Sequence, residues 1–201
     1  MTKLTERFNR LRLTNSAINE HLETLRRYAA SSDVVCELGV DTGQSTTAFL
    51  QGQPGHLFSF DIVMRPELEE LFSMARFSKT CPNRTESIIG DTFWVFNCPW
   101  DTSKQAVPAC DLLFIDTWHA YQQLAAELAL NHSRARKWIV MHDTESFGAN
   151  GEGWQDWKAA GKGSLVGIRP AITDFLEAHP EWQEKEYYAN NNGLMILGRK
   201  L

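Results

Sequence analysis

Two groupings of acid and histidine carry most of the chemistry that this chain's residue types can support: Asp116-x-x-His119 and the adjacent pair His142-Asp143. An unperturbed imidazole titrates near working pH, so His119 is suited to taking a proton from a hydroxyl. A third grouping is Glu37-Leu38-Gly39-Val40-Asp41-Thr42-Gly43-Gln44-Ser45, which reads as a strand, a tight turn and a helix start. Gly39 and Gly43 permit a close approach of ligand to backbone, and the helix start behind them offers free N–H groups. The spacing is G-x-x-x-G, not the G-x-G-x-x-G of dinucleotide enzymes, and Asp41 stands where the second glycine of that pattern belongs. A carboxylate there repels a pyrophosphate, so a ligand without phosphate suits the turn better. Asp61, at the end of the next apolar run, has the position of an acid that accepts from ribose hydroxyls.

The elements that must position these residues alternate along the chain. Apolar runs at 34–38, 57–62, 87–89, 112–115 and 138–141 are each followed by a turn, and helices are expected over 44–50, 66–75, 120–130 and 170–178. Two further strands, 183–188 and 194–197, are joined through Asn190-Asn191-Asn192-Gly193. Such alternation predicts an α/β fold, a doubly wound and mostly parallel sheet with helices on both faces, and ligands bind beyond the carboxyl ends of such strands. Asp61, Asp91, Asp116, His142 and Asp143 all fall at those ends. The chain reads as one domain, with 1–32 a helical segment and 144–167 a glycine-rich loop carrying Trp154 and Trp157. That loop is longer than an ordinary connection and reads equally as a surface excursion or as a lid over the acceptor.

A net charge of -5 disfavours nucleic acid as the main partner, because a phosphate-binding surface needs a basic excess. The cluster Arg134, Arg136 and Lys137 reads as solvated surface. Residues 1–10 lack the apolar centre of a secretory signal, and no apolar run is long enough to span a bilayer, so no membrane partner is expected. Cys36, Cys81, Cys98 and Cys110 form no metal spacing; Cys36 and Cys110 read as buried thiols, and a reducing cytoplasm fits them.

ELGVDTGQSTTAFL (37–50), FSFDI (58–62), IIGDT (88–92), LLFIDTWHAYQQLAAEL (112–128), IVMHDT (139–144) and VGIRPAITDFL (166–176) occur in family order. Together they resemble class I S-adenosylmethionine-dependent methyltransferases, in particular the small-molecule O-methyltransferases related to cephalosporin-hydroxylase-like proteins and macrolide-sugar O-methyltransferases. The resemblance implies a seven-stranded sheet of order 3-2-1-4-5-7-6 with the last strand antiparallel. It implies cofactor contacts from Glu37, Gly39, Gly43, Ser45, Asp61 and Asp91, and a catalytic edge of Asp116, His119, His142 and Asp143. In that order Asp116 and Asp143 end adjacent strands, so their carboxylates can converge on Mg²⁺. Where the macrolide-sugar branch has Glu-Asp this chain has His142-Asp143, and His142 has the alternative task of orienting Asp143. Relatives also often carry a Gly-Gly turn where this chain has Ser133 to Lys137.

The expected activity is methyl transfer from S-adenosylmethionine to a hydroxyl of a small molecule, with a sugar as one candidate acceptor and a homo-oligomer left open. Two rivals remain at this stage: a catalytically silent nucleoside-binding domain, and a nicotinamide-dependent oxidoreductase, which the glycine spacing disfavours. Trp100 and Trp118 have positions from which a ring can stack on adenine, though packing is the commoner fate. Tyr121 is expected to face the helix interior. His21, His56, His132 and His179 read as surface histidines.

Overall fold

The computed structural model describes residues 2–63, 65–68, 70–71, 104, 106–153 and 166–200. Its elements are α1 (Lys3–Leu13), a 3-10 turn (Asn19–His21), α2 (Leu22–Ala30), β1 (Val34–Leu38), α3 (Gln44–Gly52), β2 (His56–Phe60), β3 (Cys110–Ile115), α4 (Tyr121–Asn131), β4 (Ala135–His142), α5 (Ile168–Ala178), β5 (Trp182–Tyr188) and β6 (Leu194–Arg199). The six strands form one sheet in the order β2-β1-β3-β4-β6-β5, parallel except where β6 runs against β4 and β5. This is the expected order without its third strand, 87–89, which lies outside the described residues.

The apolar alternation of the strands explains the layers. Leu112 and Phe114 of β3 face a core built with α1, α2 and α3, while Leu113 and Ile115 face a second core with α4 and α5. Successive strand side chains point to opposite faces, so an apolar run buried on both sides requires helices on both sides. The Asn190–Gly193 turn forms as expected, with Asn191, Asn192 and Gly193 all at positive φ.

β3 to β6 run slightly further than their apolar runs, whereas β1 matches its run and β2 stops at Phe60. β4 begins at Ala135, so the last three residues of the basic stretch 133–137 are strand, and Arg136 and Lys137 lean on Asp111 at 2.9 and 3.6 Å. The helix expected over 66–75 begins in place at 66–68; its end lies outside the described residues. The N-terminal helical segment divides into α1, the 3-10 turn and α2. Cys36 and Cys110 are buried free thiols, while Cys81 and Cys98 lie outside the described residues.

Three surface expectations are corrected. His21 is 1% exposed, its Nε2 3.0 Å from Asn190 O and 3.2 Å from Asn191 O. His132 and His179 are half-buried and meet each other, whereas His56 is exposed as expected. Tyr121 opens α4 and packs partly buried against the second core, while its hydroxyl donates to Asp174 on α5 at 2.6 Å.

Candidate active site

The order reverses between β1 and β3: the chain passes from β1 outward to β2, then returns to the other side of β1. Ligands of open α/β sheets bind in the crevice at such a reversal. The G-x-x-x-G turn leaves β1 at this point, and Asp116 leaves β3 beside it. A Cβ built on Gly39, at φ +84, would lie 1.8 Å from Asp116 O, so only glycine lets the two turns approach this closely. Gly43, also at positive φ, opens α3. Asp41 sits exposed in the left-handed region and pairs with Arg65 at 2.7 Å.

Two acids tie this turn down. Glu37 is fully buried beneath it. It accepts from Ser45 Oγ at 2.5 Å, from Thr46 Oγ1 at 2.9 and 3.1 Å, and from Ser59 Oγ at 2.5 Å. Burial pushes its carboxyl up to about 7 despite the hydroxyls of Ser45, Ser59 and Thr46, which pull it down. Asp61 Oδ2 accepts from the Val40 and Asp41 N–H groups at 2.8 and 3.0 Å, and its Oδ1 from Val63 N–H at 3.0 Å. Glu37 and Ser45 thus bond each other within the protein, and Asp61 shapes the loop that any ligand there must meet. Asp91 and Trp100 lie outside the described residues.

Asp116, His119, His142 and Asp143 come together at the carboxyl ends of β3 and β4. His119 Nε2 lies 3.2 Å from Asp116 Oδ1 and 2.9 Å from Asp143 Oδ2. His142 Nδ1 lies 3.4 Å from one oxygen of each carboxylate but makes no aligned hydrogen bond. Asp143 Oδ1 is likewise buried without a partner. Burial alone would lower both imidazoles. The close carboxylates of Asp116 and Asp143 outweigh it, by hydrogen bonds and charge at His119 and by charge at His142, raising His119 to about 10 and His142 to about 9. Burial also works against ionisation of the two carboxylates, yet the imidazoles hold both below their usual range.

The loop after β4 supplies partners that sequence reading did not identify. Glu152 Oε2 meets His119 Nδ1 at 3.0 Å, while its backbone N–H donates to His119 O at 2.8 Å. Its carbonyl accepts from Trp118 Nε1 at 3.0 Å, and Phe147 stacks on the His119 ring at 4.6 Å and 4°. An isolated bridge between Asn150 and Val166 closes the base of this loop, whose residues 154–165, Trp154 and Trp157 included, lie outside the described residues. Glu127, fully buried, accepts from Thr117 Oγ1 at 2.9 Å, and both line the cavity beside His119 and His142. No local pattern marks Glu152: it lies 33 residues from His119 in the chain, and only the loop's path joins them.

A family model described as a methyltransferase domain matches residues 36–144, from β1 through the His142-Asp143 pair. The chain belongs to the methyltransferase-domain family. Its fold is that of class I S-adenosylmethionine-dependent methyltransferases. Among solved structures, this methyltransferase is similar to a Corynebacterium glutamicum protein at 14% identity and TM-score 0.58, covering 100% of this chain and 91% of that one. It is similar to a Bacillus cereus O-methyltransferase in complex with S-adenosylhomocysteine at 13% identity and TM-score 0.55, covering 100% and 92%. It is also similar to the Burkholderia thailandensis 1,6-didemethyltoxoflavin-N1-methyltransferase with bound 1,6-didemethyltoxoflavin and S-adenosylhomocysteine, at 15% identity and TM-score 0.52, covering 89% and 80%. No curated protein matches the chain. None of the helices among the described residues is long and apolar enough to cross a membrane.

Proposed function

We propose that this methyltransferase moves the methyl group of S-adenosylmethionine to a hydroxyl of a small molecule, with a sugar as candidate acceptor. The observation that carries the reading is the meeting of Asp116, His119, His142 and Asp143 beside a glycine turn whose Asp41 disfavours phosphate. The sulfonium is already a good leaving group, so the protein's work is alignment and removal of one proton. The acceptor oxygen forms a bond to the methyl carbon, the carbon–sulfur bond breaks toward S-adenosylhomocysteine, and the hydroxyl proton passes to a base. In this reading His119 is the base, Glu152 and Phe147 hold its ring, and Gly39, Gly43 and Asp61 form the cofactor wall, with Asp91 the expected further contact.

The donor set also suits a divalent cation. One ligand atom each from Asp116, His142 and Asp143 lies within 4.8 Å of the others, and two of the three residues carry a buried polar atom without a hydrogen-bond partner. The two carboxylates suit Mg²⁺, while the imidazole adds tolerance for Mn²⁺ or another transition metal. When bound, such an ion eases loss of the acceptor proton. At neutral pH the two carboxylates hold both imidazoles protonated. Competition for those carboxylates is therefore what would free His119 to accept a proton.

The test is incubation of the protein with methyl-labelled S-adenosylmethionine and a panel of small hydroxylated acceptors, sugars included. Label in an O-methyl product with equimolar S-adenosylhomocysteine is expected, together with loss of turnover on chelation and recovery with Mg²⁺ or Mn²⁺. Cofactor binding without turnover across the panel would favour a silent binding domain. Label on nitrogen would correct the acceptor class, and activity indifferent to chelation would remove the cation.

A further inference from the structure

Far from the catalytic edge, the amino end of β4 carries a second cluster of metal-ligating groups. His132 caps the end of α4, His179 caps the end of α5, and Glu181 follows before β5 begins. These elements point their last residues away from the crevice. The length of β4 separates the cluster from His142, about 23 Å at the usual rise of a strand. The two imidazoles lie with ring centroids 4.0 Å apart, tilted by 44°. His179 Nδ1 is 3.4 Å from Glu181 Oε1. One nitrogen from each histidine and one carboxylate oxygen all lie within 4.8 Å of each other.

Packing alone leaves this arrangement unexplained. His132 Nδ1 is buried and has no hydrogen-bond partner, a cost normally avoided. Two imidazoles this close repel if both are charged, so the pair is best accommodated with free lone pairs, the form in which histidine binds metal. Phe175 packs edge-on against His132 and beside His179, giving the apolar wall that shields such a site. The opposing charge is Arg199, but its guanidinium is held over the Trp182 ring and donates to Ala135 O.

We propose that His132, His179 and Glu181 bind one divalent transition-metal ion of the Zn²⁺ class, with water at the fourth position. Two imidazole nitrogens and one carboxylate oxygen form a borderline-soft set that suits Zn²⁺ and disfavours Mg²⁺ or Ca²⁺. His179 and Glu181 are partly exposed, 29% and 37% by side chain, which leaves the ion a route of entry. Bound there, the ion clips the ends of α4 and α5 to the start of β5. It takes no part in methyl transfer, and the site stands whether or not the acceptor assigned above is correct.

The experiment is calorimetric titration of the metal-stripped full chain with Zn²⁺. The wild type is compared with His132→Ala, His179→Ala and Glu181→Gln, and each is repeated with Asp116→Asn and Asp143→Asn to silence the catalytic-edge cluster. One Zn²⁺ per chain is expected in the silenced background, weakened at least tenfold by either histidine change and less by Glu181→Gln. Co²⁺ in the same background should give the visible absorption of a four-coordinate nitrogen–oxygen site. In the silenced background Zn²⁺ should also raise the melting temperature, and adding His179→Ala should abolish that rise. If a histidine variant fails to fold, Glu181→Gln, a change at a partly exposed side chain, still reports the site. Absence of uptake in the silenced background, or uptake that the histidine and glutamate changes leave untouched, overturns the proposal.

Discussion

His119 is gripped on both ring nitrogens and on one face, by Asp116 and Asp143, by Glu152, and by Phe147. Held in this way it is protonated at neutral pH, and it accepts a proton only once a carboxylate releases one of its nitrogens. Replacing it with alanine should lower turnover by roughly 10²- to 10⁴-fold, the usual range for a lost general base. S-adenosylhomocysteine affinity should stay unchanged, and a calorimetric titration beside a rate assay separates the two. Asp61 works through backbone. Its loss frees the Val40 and Asp41 N–H groups and removes a candidate ribose acceptor. Asp61→Ala should weaken S-adenosylmethionine binding by about 1.5 to 3 kcal/mol, the scale of hydrogen bonds to a charged group. An unchanged dissociation constant in a folded variant would remove Asp61 from the site.

At the scale of elements, the turn between β1 and α3 is tied down by a buried carboxyl. Glu37 has a folded-state pKa of about 7 against an ordinary 4.5. The folded protein therefore binds more protons than the unfolded chain between those values, so stability falls as pH rises from about 4.5 through 7 and then levels. Glu37→Gln should flatten that slope, worth on the order of 3 kcal/mol, in urea melts taken across the range. A slope equal to that of wild type would mean the carboxyl ionises as freely as in water. Gly39 tests the contact between the two turns. A methyl group there meets Asp116 O at 1.8 Å in a left-handed backbone, so Gly39→Ala must displace the β1 turn from β3. Cofactor affinity and melting temperature should fall together, a pairing that differential scanning fluorimetry with and without S-adenosylhomocysteine would detect.

For the molecule as a whole, two segments outside the parallel core do different work. α1 packs Leu4 and Phe8 into the core and sends Arg7 to Thr47 Oγ1 at 3.0 Å and Thr42 O at 2.9 Å, beneath the glycine turn. Removing residues 2–13 should cost several kcal/mol, since each buried apolar side chain lost is worth about 2 to 5. A lowered urea midpoint by circular dichroism checks this, and an unchanged one would make α1 an appendage. The loop after β4 is braced at its base by Asn150–Val166 and by Glu152. Replacing 154–165 with a short linker should impair methyl transfer while leaving S-adenosylhomocysteine binding intact, if that stretch serves the acceptor. Equal loss of both would assign it to the cofactor side.

The strand runs, the helices of both faces and the Asn190–Gly193 turn were legible in the sequence because hydrophobic periodicity and turn chemistry are local quantities. Residues a few positions apart decide them. The clustering of acids at the strand ends was legible for the same reason: each stands where an apolar run stops. Which partners those residues take was not local. Glu152 reaches His119 across 33 residues, and His21 meets Asn190 across 169. His21, His132 and His179 looked like surface residues because nothing beside them in the chain is informative. Their burial and pairing follow from which helix and turn ends the sheet order brings together. The internal partners of Glu37 were likewise not local: a strand's two-residue alternation carries it under α3, where the hydroxyls of Ser45, Thr46 and Ser59 meet it. Periodicity determines which side of a strand a residue occupies, but what waits on that side is decided by topology.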